Sequence, residues 1–116
     1  MIVVTADGVG AGYSGPHLSG YYESLRARLA VAMARAWAYS GHPDRAAGFA
    51  AEAEERAERL GDGALLADAL DAQLTAHWGP DQLDDRLRLT ARLEDTAAYL
   101  TGVEARLSAC LWRLST

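Results

Sequence analysis

The stretch Ala30-Val31-Ala32-Met33-Ala34-Arg35-Ala36-Trp37-Ala38-Tyr39-Ser40-Gly41-His42-Pro43-Asp44-Arg45-Ala46 decides the fold, because it reads as one helix ending and another beginning. Up to Tyr39 half of it is alanine, the best helix former, with a single β-branched residue, Val31. Gly41 suits the left-handed position just past a helix end, and Pro43 cannot prolong the helix behind it. Pro43 instead fits the first turn of a new helix, where its missing N–H has no partner to lose. Asp44 beside it complements the positive helix end.

The same punctuation returns further along the chain at Leu60-Gly61-Asp62, with Asp62 placed to cap the next helix, and at Gly79-Pro80. The spacing predicts helices over Ser19 to Tyr39, Pro43 to Leu60, Gly63 to Trp78, Asp81 to Leu100 and Val103 to Leu114. In the first, Leu25, Leu29, Ala32 or Met33, Ala36 and Trp37 recur at three- and four-residue spacing and are the expected core face. In the second, Ala46, Phe49 or Ala50, Ala53, Ala57 and Leu60 face inward, while Glu52–Arg56 and Glu55–Arg59 are expected as outer ion pairs one turn apart. The third uses Leu66, Leu70, Leu74 and Trp78, with Leu65, Ala69, Ala72 and Ala76 beside them. The fourth carries Leu83, Leu87, Thr90, Leu93, Ala97 and Leu100, and the last Leu107, Leu111 and Leu114 with Trp112 close by.

Short turns make neighbouring helices antiparallel. Gly41 and Gly79 lie 38 residues apart, and Leu60 and Leu100 lie 40 apart. A period near 40 built from helix pairs points to an all-α solenoid of about five helices, not a closed bundle. Ahead of it, residues 1–18 read as a flexible arm: Gly8, Gly10, Gly12 and Gly15, with Gly20 just beyond, come after a short apolar run at Met1 to Thr5. The repeat domain then occupies residues 19–116.

Composition agrees and excludes much. The 116 residues hold 24 Ala, 16 Leu and 11 Arg against 1 Ile and 5 Val, so an all-β fold is excluded. There is no lysine, hence no Schiff-base lysine and no phosphate-loop lysine. The net charge of −5 argues against a general nucleic-acid binder. The lone Cys110 fits a reducing, cytoplasmic setting; with no basic residue before Arg26, no signal peptide is expected, and no apolar run suits a membrane span.

The stretch from Ala30 to Ala53 resembles a tetratricopeptide repeat: small Ala34, aromatic Trp37, Gly41 at the turn, then small Ala46 and Ala53 on the second helix. Arg59-Leu60-Gly61-Asp62, Trp78-Gly79-Pro80-Asp81 and Leu111-Trp112-Arg113-Leu114 resemble the long-repeat helical region of bacterial MalT/LuxR-type and antibiotic-regulator-type signalling ATPases and transcriptional regulators. The resemblance covers roughly residues 25–116 and implies a regulatory scaffold that binds other proteins on the surface formed by the first helix of each pair. The unit of about 40 exceeds the ~34 of the standard repeat, and Asp84 stands where a small residue is usual after the turn. No ATPase or DNA-binding module lies in these residues, so the scaffold role alone carries over.

Motifs for chemistry are thin. Gly10-Ala11-Gly12-Tyr13-Ser14-Gly15 matches a dinucleotide fingerprint, but Pro16 comes next and no second strand exists downstream to complete the βαβ unit. His17, His42 and His77 are scattered, Asp81, Asp84 and Asp85 fit the first turn of a helix, and Cys110 among leucines reads as a core thiol. No cofactor, metal or catalytic set is expected. Arg28 and Arg35 with Gln73 and His77 are the expected partner-binding residues, facing a protein or peptide partner with acidic character. Leu107, Leu111, Trp112 and Leu114, with no polar capping face beyond them, are expected to drive homo-oligomerisation or to meet further repeats. The competing reading is a small-molecule sensor with an apolar pocket lined by Trp37, Trp78 and Tyr99.

Overall fold

A computed structural model describes residues 16–100 and 102–115. Among them there are five α-helices and no strand: α1 (Pro16–Tyr39), α2 (Pro43–Leu60), α3 (Gly63–Ala76), α4 (Leu83–Ala98) and α5 (Glu104–Ser115), with a 3-10 turn over Pro80–Gln82 before α4. The protein is therefore all-α. The glycine-rich stretch up to Gly15, with its fingerprint, lies outside the described residues.

The turns are set by their own residues. Gly41 and Gly61 adopt positive φ, 82° and 68°, as glycine alone does cheaply. The Asp62 carboxylate accepts from the Leu65 backbone N–H at 3.1 Å and caps α3 as expected. The third stop works differently. Gly79 has ordinary φ, and α3 ends at Ala76 with His77 as its C-cap, two residues before Gly79. Arg86 closes this end, its Nη1 donating to the carbonyls of His77 (3.1 Å) and Gly79 (2.6 Å) while its guanidinium lies over the Trp78 ring.

Each helix packs on its sequence neighbour, and α3 touches both α1 and α5. The contact of alternate helices makes α1, α3 and α5 one layer, with α2 and α4 behind. The dimensions, 49 × 32 × 18 Å, and a radius of gyration of 15.6 Å describe a slab. A compact chain of this length has a radius of about 13 Å.

The core differs from the expected one at both ends of the slab. On α1 the buried residues are Ala27, Ala30, Val31 and Ala34, whereas Leu25 and Leu29 are exposed, Leu29 by 54%. Ala30 and Ala34 meet Ala50 and Ala53 of α2 and Ala69 and Ala72 of α3, a junction made almost wholly of alanine. Small side chains let helix backbones approach closely, so the alanine stripe takes the inner position and turns the leucines outward. On α2 the expected face is observed: Ala46, Ala50, Ala53 and Ala57 are buried. The second core joins Leu70 and Leu74 of α3, Leu89 and Leu93 of α4 and Ala109 of α5. Leu83 and Leu87 on α4 and Leu107, Leu111 and Leu114 on α5 are exposed instead.

Ion pairs reinforce both layers. Arg56 links Glu23 of α1 (2.6 Å) to Glu52 (2.9 Å), and Arg26 reaches Glu52 (3.2 Å). Glu52–Arg56 thus forms, but within the α1–α2 seam and not on an outer face. Arg59 pairs with Glu23 at 3.6 Å in place of Glu55. Arg92 of α4 binds both Glu54 and Glu58, tying α2 to α4.

Candidate functional site

The α1, α3 and α5 layer carries an open groove centred on Asp71. One half, of about 500 Å³, is lined among others by Arg35, Asp68, Asp71, Glu104 and Ser108. The other half, about 420 Å³, shares Asp71 and Ser108 and is lined by Tyr39, Thr75, Trp78, Leu111 and Trp112. The charged side chains line the first half, among Ala64, Ala67, Leu100, Val103 and Ala105, and the aromatic ones the second. Helical spacing explains this: Asp68, Asp71 and Thr75 succeed one another at three and four residues along the exposed edge of α3.

Asp71 is the organising residue. Its Oδ1 accepts from Ser108 Oγ (2.9 Å) and Trp112 Nε1 (2.7 Å) on α5, and its Oδ2 from Arg35 Nη2 (2.9 Å) on α1. Burial alone raises its pKa, but the donations from Trp112, Arg35 and Ser108 outweigh it and hold the carboxyl below its ordinary value. One carboxylate therefore ties together all three helices of the layer. Asp68, one turn back, is the opposite case. Although the side chain is 63% exposed, partial loss of its hydration pushes its pKa up, Arg35 (3.8 Å away) opposes this, and the negative charges of Asp71, Glu104 and Asp62 add to the rise.

The four residues expected to share a partner surface do not come together. Arg35 stands in the groove, neutralised by Asp71 and Asp68. Arg28 is exposed on α1 and does not line the groove. Gln73 points to the opposite side of α3, donating to Glu54 of α2 at 2.8 Å. His77 ends α3, its Nδ1 2.7 Å from the Gln73 carbonyl oxygen. The charged side chains lining the groove are three carboxylates, Asp68, Asp71 and Glu104, and one guanidinium, Arg35.

The aromatic trio also separates. Trp37 packs edge-on against His42 at 5.1 Å with Arg45 over its face, at the α1–α2 turn. Trp78 meets Trp112 at 5.7 Å in the groove, and Tyr99 is 90% exposed elsewhere. The three rings therefore do not line a common pocket. On α5, Leu107, Leu111 and Leu114 form an exposed stripe, whereas Trp112 turns inward to Asp71. Cys110 is exposed, not a core thiol: Ala109 takes the buried position of that turn. Among the described residues no group of three or more His, Cys, Asp or Glu is placed to hold a metal ion, and no helix is long and apolar enough to cross a membrane.

Asp71, Asp68 and Glu104 were not among the residues expected from sequence. The available signal was the three-residue step from Asp68 to Asp71 on an otherwise uncharged helix. Comparison with protein-family models, with curated proteins and with solved structures finds no match to this chain.

Proposed function

We propose that this chain is a protein-interaction scaffold, a tetratricopeptide-like module of the kind found in bacterial transcriptional and signalling regulators, working in the cytoplasm. The observation that supports it is the contact of α3 with both α1 and α5. Alternate helices side by side leave their outer edges as one continuous trough, a shape suited to an extended peptide. A closed bundle has no such trough. Binding is the activity assigned to this trough. The exposed Leu107, Leu111 and Leu114 add self-association through α5 as a second element of this reading.

The test is an amide NMR titration of the full chain with labelled peptides of mixed composition and, separately, with small amphiphilic ligands. Peptides of some class are expected to shift the amides of Asp71, Thr75 and Ser108. A response to small ligands alone would transfer the assignment to the sensor reading.

A further inference from the structure

Within that scaffold reading, we infer that the trough selects a basic peptide segment, an arginine or lysine with large apolar side chains a short distance along. The trough is polarised. At one end Asp68 and Glu104 line it, and Arg35, the guanidinium lining that end, is held by Asp71 at 2.9 Å. At the other end Tyr39, Trp78 and Leu111 expose their side chains beside the half-buried Trp112. A cationic side chain has a complementary place between Asp68 and Glu104. An apolar one covers the Trp78–Trp112 pair.

The charge balance decides the sign. Asp71 accepts from three donors and serves the fold, so it offsets Arg35; Asp68 and Glu104 remain as the other negative side chains lining that end, with Arg106 at its rim donating to the Leu100 carbonyl (3.2 Å). Asp68 already feels the repulsion of Asp71, Glu104 and Asp62, and Arg35 relieves it only from 3.8 Å. A second cation lowers that repulsion, whereas an acidic segment raises it. Spacing sets the length. Asp68 to Trp78 is ten residues of α3 and its end, about 15 Å at 1.5 Å per residue, which an extended peptide crosses in about four to five residues.

The experiment measures fluorescence anisotropy of the full chain with a labelled serine-based peptide carrying an arginine and, about four residues away, two leucines. Parallel probes replace the arginine by glutamate or by serine. The arginine peptide is expected to bind at least tenfold tighter than the glutamate peptide, with the difference shrinking as salt rises from about 50 to about 300 mM. The double variant Asp68→Asn, Glu104→Gln is expected to remove most of that preference. Glu55→Gln, an equal kind of charge removal on the exposed side of α2, leaves it intact. Tyr39→Ala with Trp78→Ala weakens the arginine and serine peptides alike. Equal or tighter binding of the glutamate peptide overturns the basic preference while leaving the scaffold reading standing. Absence of binding by every peptide overturns both, and saturation by arginine amide alone, with no gain from the leucines, reassigns the trough to a small cationic ligand.

Discussion

Trp112 of α5 donates its indole N–H to the Oδ1 of Asp71 on α3 at 2.7 Å, and the same oxygen accepts from Ser108 one turn earlier on α5. The last helix is thereby held at the groove by two hydrogen bonds to one carboxylate, while Arg113 grips Glu94 of α4 from its other side (2.6 and 3.1 Å). Trp112→Phe keeps the ring packing against Trp78 and deletes the donor. A hydrogen bond to a charged acceptor contributes about 1.5–3 kcal/mol, and Asp71 retains Arg35 and Ser108, so a loss near the lower end is expected in urea unfolding. Equal stability of the two proteins would show that the bond contributes nothing to docking α5.

Two of the three groove carboxylates impose opposite pH dependences. Asp71 has a folded-state pKa below its ordinary 3.8, so its stabilisation is complete above that value and is lost as pH falls through the lower folded-state one. Asp68 has a raised folded-state pKa, so the native state binds its proton more tightly, and stability increases as pH falls from neutral towards 3.8. Asp68→Asn removes this second effect. The variant is expected to gain stability at neutral pH, by about 0.5 kcal/mol or less given the exposure of the side chain, and to show a flatter urea midpoint between about pH 7 and pH 4. A steeper profile would reverse the assignment.

The alanine junction was legible only in part. On α2 no large apolar side chain competes with Ala46, Ala50, Ala53 and Ala57 except Phe49 and Leu60, so the inner face could be read directly. On α1 two apolar stripes coexist, and the larger side chains, Leu25 and Leu29, were the wrong choice. Periodicity finds a helix and its faces, but which face is inward depends on how closely the partner helix approaches, a property of both sequences together. The groove was illegible for a related reason: Asp71 gains its meaning from Arg35, Ser108 and Trp112, 36, 37 and 41 residues away. Helix boundaries, set by local chemistry at Gly41, Gly61 and Asp62, were readable to within a few residues.

A paired substitution separates the two stripes of α1. Ala34→Leu places a larger side chain where Ala50, Ala53, Ala69 and Ala72 leave no room, and overpacking of that kind costs about 1–3 kcal/mol. Leu29→Ala, on the exposed stripe, is expected to change stability by about 0.5 kcal/mol or less. Thermal unfolding of the two variants should therefore rank them in the order opposite to one based on side-chain size alone.

The α2–α3 turn concentrates two local effects that can be separated. Gly61 holds φ 68°, where a Cβ is disfavoured although nothing lies within 4 Å of it, so Gly61→Ala is expected to cost about 1 kcal/mol through backbone strain alone. Asp62→Ala removes the cap on the Leu65 N–H and is expected to cost about 1 kcal/mol as well. Asp62→Asn should restore most of the cap. An Asn variant as unstable as the Ala variant would place the effect in charge and not in capping.

The outer stripe of α5 makes the final prediction. Leu107, Leu111 and Leu114 recur at four and three residues with no partner among the described residues, and Leu114 is 84% exposed. An apolar row of this kind favours association in water, and replacing Leu107 and Leu114 by serine removes both its ends without touching Leu111, which lines the trough, or Ala109 and Trp112, which face inward. Light scattering across a concentration series is expected to show the parent chain gaining mass while the double variant stays monomeric. Cys110 lies on the same exposed side, so a thiol reagent should label it in the folded monomer and more slowly in the associated form. A parent chain that remains monomeric throughout, with labelling independent of concentration, would remove self-association from the reading and leave the trough as its one binding surface.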